Sequence, residues 1–564
     1  MSSGSVHGVD TSPSEGDDDN GGTTSGASET ATAGETTGNA DETTAGVPSA
    51  PGIFPPPPGL EPSAYYAVQL VDADGIEHDS FVYLNEARVV DSGGNHGADR
   101  QAGRSMSWTT FTINEPTTIR VTRLAGGSGG VLARPSHHDI AVMDMGDGVV
   151  ELEVEPGQKL SLEYPDELTD CYYGFTECIE HALMIFADQT EPSPLAGYPD
   201  AMVYEVEPGT HADGLVNELG DLEGRPVVRF KPGVHDIGYW QVPNSVDHVH
   251  LDGGAYVRGA IDVVPMGPPP DPDDYQSQWA DFELREDFTL TGHGVLSGST
   301  IPWHTNKFFE FEAPDSWWRF IRLLQLSSAH VTLRDVTLVD SPYWTISFTN
   351  DDDPRTEAVM ENFKIVGGWT YNNDGLPLPE GLRSRVADCF VHANDDAFKI
   401  YNSGSTVENC VVWQSENGAS FQLGWFPKSI ENVTVRDIDI IHSESWYHPG
   451  NNLGVVNYAN AGGTGTIANL TFSELRVEGN IMRVLGLAPA GGQIIQDIQF
   501  EGLRLDQLNL DPQGEGRFNY IDTTGGADVT NVRFVDFQIG GELVLDTTAA
   551  KLSGSGLAGA VSFE

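Results

Sequence analysis

Apolar and polar residues alternate with a period of two along much of the chain. Between Tyr65 and Phe186, segments such as YYAVQLVDADG, DSFVYLNE and GVVELEVEPGQKLSLEYPD are bounded by Gly, Pro and Asp at intervals of about ten residues. Such short alternating segments with regular turn signals are typical of an antiparallel β-sandwich, and helical periodicity is hard to find. We therefore predict an all-β protein whose first folded domain is a β-sandwich at residues 59–197.

A four-residue phrase recurs in the second part of the chain. It consists of an apolar residue, any residue, usually Asn or Asp, and an apolar residue that opens a strand. Its copies begin at Leu333, Met360, Val386, Val407, Ile430, Ile467, Ile495 and Val529. The offsets between copies are 27, 26, 21, 23, 37, 28 and 34 residues. Irregular spacing above a minimum near 21 residues predicts a right-handed parallel β-helix at residues 198–564, with loops inserted in the longer coils.

Residues 1–58 have a different composition, rich in Gly, Ser, Thr, Pro and acidic residues without apolar periodicity. Such a segment cannot offset the entropy cost of ordering, so we predict a flexible tether. Tethers of this kind separate secreted catalytic domains from cell-surface attachments, and an ordinary disordered tail is the alternative. We expect an extracellular or cell-surface location, although the Met1 start shows no export signal and no apolar run is long enough to span a membrane.

The charge balance narrows the choice of partners. The chain has 84 acidic and 29 basic residues, and its net charge is −55. A field of this sign argues against nucleic acid and anionic membranes as partners. The excess indicates either adaptation to salty surroundings, where ions screen the repulsion, or a generally solubilising surface.

Four cysteines are too few for a disulfide scaffold. Cys171 and Cys178 flank a short loop that a disulfide would close in an oxidising compartment. Cys389 and Cys410 occupy the same place in adjacent coils, where we expect a stack of small apolar side chains or a disulfide. We do not expect a metal site there, because no second Cys or His pair accompanies them.

Two adjacent aspartates interrupt the strand pattern in CFVHANDDAFKIY, which spans Cys389 to Tyr401. Counting by the repeat places Glu416 and Asn417 in the next coil at the positions of Asp395 and Asp396. In the preceding coil, Asp374-Gly375-Leu376 matches Asp396-Ala397-Phe398. Equivalent positions in successive coils lie about 4.8 Å apart. We therefore expect Asp374, Asp395, Asp396 and Glu416 to gather on one face, with a bend or bulge between the adjacent pair.

Gathered carboxylates predict acid–base chemistry. Like charges at short range raise some of the pKa values, so one acid and one base exist at the same pH, as glycosidic hydrolysis requires. A calcium site or a decorated turn are the alternatives. Aromatic residues on the same coils favour a sugar ligand, whose apolar ring faces stack on aromatic side chains; they are Trp369, Tyr371, Tyr401, Trp413, Trp425, Trp446 and Tyr447.

Three motifs in order carry a family resemblance. NNDGLPL, HANDDAFKIY and SENGASFQLGW, preceded by a strand-rich domain with DSFVYLNEARVV, resemble glycoside hydrolase family 49, the dextranases and isopullulanases. The resemblance covers roughly residues 65–564. It implies a β-sandwich followed by a right-handed parallel β-helix, and hydrolysis of α-glucan linkages, foremost the α-1,6 bonds of dextran, with inversion at the anomeric carbon.

The resemblance also implies three catalytic aspartates, which match Asp374, Asp395 and Asp396. Asp395 would protonate the leaving oxygen, and Asp374, Asp396 or both would activate water, with acid and base about 6.5–9.5 Å apart. Substrate contacts are assigned to Lys399, Tyr401, Glu416, Asn417, Gln422, Trp425 and Tyr371. We expect a neutral α-glucan as the partner of a monomer, without cofactor, metal ion, nucleic acid or membrane span.

Alternatives remain open at this point. Hydrolysis of the isopullulanase type, or of another α-glucan, is one alternative. Polygalacturonases also have an NDG followed by a DD, but they carry a Gly-His-Gly one coil later, where this chain reads ENGASF. A polyanionic pectin would also be repelled by the protein's charge. A non-catalytic carbohydrate-binding β-helix is the alternative from another functional class.

Overall fold

The computed structural model describes residues 52–88, 101–126, 130–171, 176–211, 215, 222, 225–263, 284–305, 320–348, 356–415, 417–425, 427–444, 453–459, 462–508, 518–557 and 559–564. Pro48–Glu564 forms one compact unit. Short 3-10 turns lie at Ser136–His138, Pro165–Glu167, Asp200–Met202 and Gly298–Thr300. No helix in these ranges is long and apolar enough to cross a membrane.

The first part of the described chain is a two-sheet sandwich. Its strands are β1 (Gly52–Ile53), β2 (Tyr66–Val71), β3 (Glu77–Ser80), β4 (Tyr83–Glu86), β5 (Ser105–Ile113), β6 (Thr117–Arg123), β7 (Leu132–Arg134), β8 (Met143–Gly146), β9 (Val149–Val154), β10 (Lys159–Glu163), β11 (Leu168–Cys171), β12 (Thr176–Ile179) and β13 (His181–Gln189). One sheet has the order β1-β5-β13-β10-β7 with β4 on β5, and the other has the order β3-β2-β6-β9-β8. Strands β11 and β12 form a hairpin.

The sandwich differs from the prediction at two places. β5 and β13 run parallel, so the sheet is not purely antiparallel. The predicted tether extended to residue 58, but Gly52–Ile53 pairs with Phe111 and Thr112 of β5. The ring of Phe54 stacks on His293 at a centroid distance of 4.9 Å. This strand pairing and ring contact hold the short segment against the fold. Residues 1–51 lie outside the described residues.

The second part consists of parallel coils. Its strands are β14 (Val203–Val206), β15 (Gly209–Thr210), β16 (Val227–Phe230), β17 (Gly233–Gln241), β18 (His248–Leu251), β19 (Ala255–Asp262), β20 (Arg285–Thr291), β21 (Val295–Ser297), β22 (Leu324–Leu326), β23 (Ser328–Arg334), β24 (Thr337–Val339), β25 (Ile346–Phe348), β26 (Glu357–Glu361), β27 (Lys364–Val366), β28 (Leu376–Pro377), β29 (Arg385–Ala387), β30 (Phe390–Ala393), β31 (Phe398–Lys399), β32 (Thr406–Gln414), β33 (Gly418–Gln422), β34 (Ile430–Ser443), β35 (Leu453–Ala459), β36 (Thr464–Ile481), β37 (Leu485–Ala488), β38 (Gly492–Glu501), β39 (Arg504–Leu508), β40 (Asn519–Ile521), β41 (Asp528–Val535), β42 (Gln538–Ile539), β43 (Glu542–Leu543), β44 (Leu552–Ser553) and β45 (Val561–Phe563).

These strands form a large sheet from β14 to β45 and a seven-stranded sheet with the order β28-β31-β33-β35-β37-β40-β44. Apolar side chains from successive coils stack inside, as in the ladder Phe472, Phe500, Phe534 and Phe563. Cys389 and Cys410 are joined by a disulfide and belong to the same buried core. The predicted all-β architecture, a β-sandwich followed by a parallel β-helix, is confirmed.

The recurring phrase marks the corners of the coils. Its third residue has a positive φ in every copy, which Asn and Asp tolerate better than other non-glycine residues; the residues are Asp335, Asn362, Asp388, Asn409, Asn432, Asn469, Asp497 and Asn531. Their side chains also bond between coils, for example from Asn409 Nδ2 to Asp388 Oδ1 at 2.6 Å. The phrase therefore recurs because the corner needs a left-handed residue that can bond its neighbour above or below.

One step of the predicted register is wrong. Val407 pairs with Val435, not with Ile430. Val435-Arg436-Asp437-Ile438 is itself a copy of the phrase, with Asp437 at φ 56°. Ile430 instead opens a second row of corners, because it pairs with Ile467. The later coils thus contain two corners of the same kind, which form two rows along the stack. The offset of 23 residues is not a true coil length, because Val407 belongs to one row and Ile430 to the other.

The sandwich packs against the outer surface of the β-helix. β5 is buried at every position because one face lies in the sandwich and the other against the coils. The shared apolar cluster includes Trp108 and Phe186 from the sandwich and Trp369, Phe390 and Trp413 from the β-helix. This interface lies directly behind the strands that lead into the aspartate cluster.

Candidate active site

The aspartates lie where the chain enters the seven-stranded sheet. Leu376 pairs with Phe398, so Asp374 and Asp396, each two residues earlier, lie in register on adjacent coils. Asp395 lies in a bend between β30 and β31. Because the backbone turns there, its side chain reaches the same side as Asp396, as the bend predicted from the sequence requires.

The three carboxylates meet at a buried position. Each offers an oxygen within 4.8 Å of those of the other two. Asp374, Asp395 and Asp396 have exposed fractions of only 5%, 7% and 3%. Burial raises the pKa of Asp395 well above its ordinary value, and the charges of Asp374 and Asp396 raise it further. Asp395 is therefore the member of the cluster that keeps a proton most readily.

The other two carboxylates have partners that favour the ionised form. Lys399 Nζ lies 3.3 Å from Asp374 Oδ2. The backbone N–H of Ala419 donates to Asp396 Oδ1 at 3.1 Å. Positive charge and backbone donors both stabilise a carboxylate anion. The cluster thus contains one carboxyl group biased toward the acid and two biased toward the base.

Asp395 is held in orientation by three neighbours. The side-chain amide of Asn417 donates to Asp395 Oδ2 at 2.7 Å, and that of Asn372 donates to the same oxygen at 3.4 Å. The backbone N–H of Asp396 donates to Asp395 Oδ1 at 3.0 Å. Gln414 fixes the bend itself, because its Nε2 donates to the carbonyl oxygen of Asp395 at 2.8 Å.

The equivalence predicted for Glu416 and Asn417 is wrong by two residues. Phe398 pairs with Phe421, so Asp395 lies level with Gly418 and Asp396 with Ala419. The two extra residues lie between Gln414 and Phe421, because Ala393 still pairs with Gln414. Asn417 nevertheless reaches Asp395, while Glu416 lies outside the described residues.

The other predicted substrate contacts divide into separate groups. Tyr371 and Trp425 are half-buried, and the indole of Trp303 donates to the backbone oxygen of Tyr371 at 2.9 Å. Tyr401 lies beyond the end of β31, with Lys428 Nζ 4.1 Å from its ring centroid. Gln422 has no exposed surface, and its side-chain oxygen accepts the N–H of Gly424 at 3.0 Å. Gln422 pairs with Lys399 of the preceding coil, so both side chains lie on the same face of the sheet, and its contact with substrate stays a prediction.

Three neighbours of the cluster were missed from the sequence. Lys399 Nζ lies 3.8 Å from the ring centroid of Trp344, and the guanidinium carbon of Arg322 lies 4.9 Å from the same ring. Burial raises the pKa of the adjacent Tyr343 phenol above its ordinary value, and the nearby carboxylates of Asp374 and Asp395 add to the effect. The recurring phrase alone could not have identified them, because its offset of 27 residues places Thr345 beside Asn372, whereas Thr345 N donates to the backbone oxygen of Asp374.

The same three aspartates also form a group that could hold a metal ion. Calcium takes six to eight oxygen ligands. The ammonium group of Lys399 is already close to Asp374, and Asp395 is biased toward the protonated form, which is a poor ligand. The arrangement fits proton transfer better than metal binding.

Comparison with known proteins agrees with this architecture. No family model matches the chain. The chain is 25% identical to an isopullulanase of Aspergillus niger over 512 residues, covering 84% of each chain. It is 27% identical to a dextranase of Arthrobacter sp. (strain CB-8), covering 74% of this chain and 70% of that enzyme. The solved structure of Dex49A from Penicillium minioluteum superposes with a TM-score of 0.75 at 21% identity, covering 91% of this chain and 96% of the other.

Proposed function

We propose that this chain, as a member of glycoside hydrolase family 49, hydrolyses an α-glucan from within the polymer, most favourably at the α-1,6 bonds of dextran. The observation that carries the proposal is the buried Asp395, with its raised pKa, beside two carboxylates whose partners favour the anion. A protonated acid and an ionised base within one cleft are what hydrolysis of a glycosidic bond needs.

In the proposed reaction, Asp395 gives its proton to the glycosidic oxygen as the bond from that oxygen to the anomeric carbon breaks. Asp374 and Asp396 accept a proton from a water molecule whose oxygen attacks the anomeric carbon. Lys399 keeps Asp374 ionised and stabilises the negative charge that Asp374 and Asp396 carry together. The proton lost from water and the proton given by Asp395 balance, so the site is restored after one exchange with solvent.

The choice of a neutral glucan follows from the relatives and from the charge. Two relatives with most of their length covered are named isopullulanase and dextranase. The net charge of −55 would repel a polyanionic polysaccharide but not a neutral one. Half-buried Tyr371, Tyr401 and Trp425 are proposed to stack on sugar rings, and Glu416 to lie near the substrate.

The stereochemical proposal is inversion, as the family resemblance implies. The nearest oxygens of the three carboxylates lie within 4.8 Å, shorter than the separation predicted from the sequence. Carboxyl groups about 6.5–9.5 Å apart are usual for inverting enzymes and about 5–5.5 Å for retaining ones. Inversion here therefore requires that the attacking water bind beside the cluster, held by Asp374 or Asp396. NMR of the first product decides, since an inverting enzyme releases the β-anomer from an α-glucan and a retaining enzyme the α-anomer.

The decisive experiment compares wild-type protein with Asp395→Asn on dextran, pullulan, nigeran and polygalacturonate, measuring reducing ends. We expect release from dextran, with a rapid fall in viscosity because internal bonds are cut. Asp395→Asn should lower kcat by about 10²–10⁴-fold, the range of general acid catalysis, and leave glucan binding in place. Asp388→Asn is a matched control, because that carboxylate lies at a coil corner bonded to Asn409.

Two outcomes would contradict the proposal. Glucan binding without release of reducing sugar from any polymer would identify a binding protein instead. Full activity of Asp395→Asn would show that Asp395 is not the acid.

We further propose that the protein acts outside the cell or on its surface, as a monomer, where a polymeric substrate is accessible.

A further inference from the structure

Arg104 of the sandwich reaches across the interface to Glu444 of the β-helix. Its Nη1 and Nη2 each donate to one oxygen of Glu444, both at 2.7 Å. The two side chains have exposed fractions of 4% and 2%. The Nε of Arg104 donates to the backbone oxygen of Ile179 at 2.9 Å. A buried, bidentate pair of this kind fixes the orientation of both planes.

The pair contacts two tryptophans, which lie on the coils before and after the coil that carries His392. Glu444 Oε1 accepts the indole N–H of Trp413 at 3.0 Å. The guanidinium carbon of Arg104 lies 5.0 Å from the ring centroid of Trp369. The ring of His392 contacts both indoles, with centroid distances of 4.5 Å to Trp369 and 5.7 Å to Trp413.

Both tryptophans adjoin residues that hold the bend at Asp395. The backbone oxygen of Trp369 accepts the side-chain amide of Asn394 at 2.9 Å, one residue before Asp395. Gln414, which follows Trp413, donates to the backbone oxygens of Asp395 at 2.8 Å and Asn417 at 2.6 Å. The backbone position of the bend therefore depends on two neighbours that Arg104 and Glu444 hold.

We propose that Arg104 is a positioning residue for the hydrolytic site, acting through Glu444, Trp369 and Trp413 on the bend that carries Asp395. The inference rests on the proposed function and assigns the sandwich a part in it. The sandwich then contributes to catalysis by holding Asp395 against Asp374 and Asp396, in addition to packing on the β-helix.

The test removes both charges together, because either single substitution leaves a buried charge without its partner. Arg104→Met/Glu444→Gln should fold, as checked by circular dichroism and gel filtration, and its kcat on dextran should fall about 10- to 100-fold, because small displacements of reacting groups have effects of this size. KM should change by less than about threefold, since the substituted residues lie behind the cleft and not in it.

The pH profile adds a readout that a general loss of stability would not move. Asp374, Asp396, Lys399 and Tyr343 carry the ionisable groups that act on Asp395, and all are retained in the variant. If the bend moves away from the two carboxylates, their repulsion weakens and the pKa of Asp395 falls. The descending limb of the kcat profile should then move to lower pH.

A matched pair across the same interface provides the control. Lys364 of the β-helix is paired with Asp188 of the sandwich, and both side chains are as deeply buried as Arg104 and Glu444. Lys364→Met/Asp188→Asn should lower the melting temperature to a similar degree while kcat and the pH profile stay those of the wild type. Equal loss of kcat in both variants, or wild-type kinetics in Arg104→Met/Glu444→Gln, would overturn the positioning role alone. A wild-type protein that releases no sugar would overturn the proposed function and this role with it.

Discussion

The side-chain amide of Asn417 donates a 2.7 Å hydrogen bond to Oδ2 of Asp395 from the following coil. This bond orients the proposed acid and also favours its ionised form, so it opposes the burial that raises the pKa of Asp395. The ease with which Asp395 releases its proton depends on this balance.

We predict that Asn417→Ala lowers kcat on dextran by about 10- to 100-fold, since a hydrogen bond to a charged group contributes about 1.5–3 kcal/mol. The pKa of Asp395 should rise further, so the descending limb of the pH profile should move to higher pH. Asn402→Ala is the control, because Asn402 is also buried but donates to the backbone oxygen of Leu378 at 3.0 Å. A profile unchanged in Asn417→Ala would show that the bond has no influence on the acid.

The recurring four-residue phrase predicted the β-helix because each copy marks a position where the backbone needs a positive φ. A left-handed residue, which is Asn or Asp in all eight copies of the phrase, marks a corner of the stack, so its recurrence identifies coils even where the inserted loops differ in length. The phrase does not report which row of corners a copy belongs to. That is why Val407 was matched with Ile430, although its partner is Val435.

Site residues could be predicted from the sequence where the register of neighbouring coils places them. Residues that act through side-chain contacts between the two domains could not. The predicted match of Asp374-Gly375-Leu376 with Asp396-Ala397-Phe398 is the register of the structure, since Leu376 pairs with Phe398. Asn417 was identified from a register that is two residues out, and it reaches Asp395 only because its side chain spans the difference. Arg104 has no repeat relation to Asp395, since it belongs to another domain and contacts the site through side chains.

Lys399 favours the ionised form of the carboxylates proposed as the base, Asp374 and Asp396. Its ammonium lies 3.3 Å from Asp374 Oδ2 and also lowers the pKa of Asp395. In Lys399→Met, both carboxyl groups should hold their protons to higher pH, so both limbs of the kcat profile should move upward in pH. The maximum rate should fall, because the variant has a base that is less ionised at the pH where the acid works.

The stability of Lys399→Met should also depend on pH. Removing one partner of a buried pair costs about 3–5 kcal/mol, and the loss should be smaller at low pH, where Asp374 is neutralised. Lys364→Met is the control for the loss of a buried ion pair away from the aspartates, since Lys364 pairs with Asp188 at the domain interface. That control should lose stability without a shift of the kinetic profile. Unshifted kinetics in Lys399→Met would remove Lys399 from the acid–base machinery.

Gly418 permits the close approach of the next coil to the bend. Its φ is +87°, and a Cβ there would lie 2.3 Å from the carbonyl carbon of Asp395 and 2.5 Å from the nitrogen of Asp396. Gly418→Ala should therefore displace the bend and lower kcat strongly, in addition to the cost of about 1–2 kcal/mol for a left-handed alanine. Gly479→Ala has a φ of +71° with no atom within 4 Å, so it measures the backbone cost alone. If both variants keep wild-type kcat after correction for the folded fraction, the close approach has no part in the geometry of the site.

The raised pKa of Asp395 predicts that this carboxyl group, which the proposed activity needs, lowers the stability of the folded protein as pH rises. Burial and two neighbouring carboxylates raise the pKa of Asp395 in the folded protein above that in the unfolded chain. Between these two pKa values the folded state binds a proton that the unfolded state has lost, so the free energy of unfolding decreases as pH rises through this window. Each unit of difference between the two pKa values corresponds to about 1.4 kcal/mol. Asp395→Asn removes the charge and its pH dependence.

We therefore expect the melting temperature of Asp395→Asn to be close to that of the wild type near pH 4 and to exceed it increasingly toward alkaline pH. The difference should stop growing above the folded-state pKa of Asp395, where both states of the wild type have lost the proton. Calorimetric melting temperatures at a series of pH values measure it, with Asn402→Ala as a substitution that changes no titrating group. A difference that shrinks as pH rises would mean that the folded protein favours the anion of Asp395, and the proton for the leaving oxygen would have to come from another group.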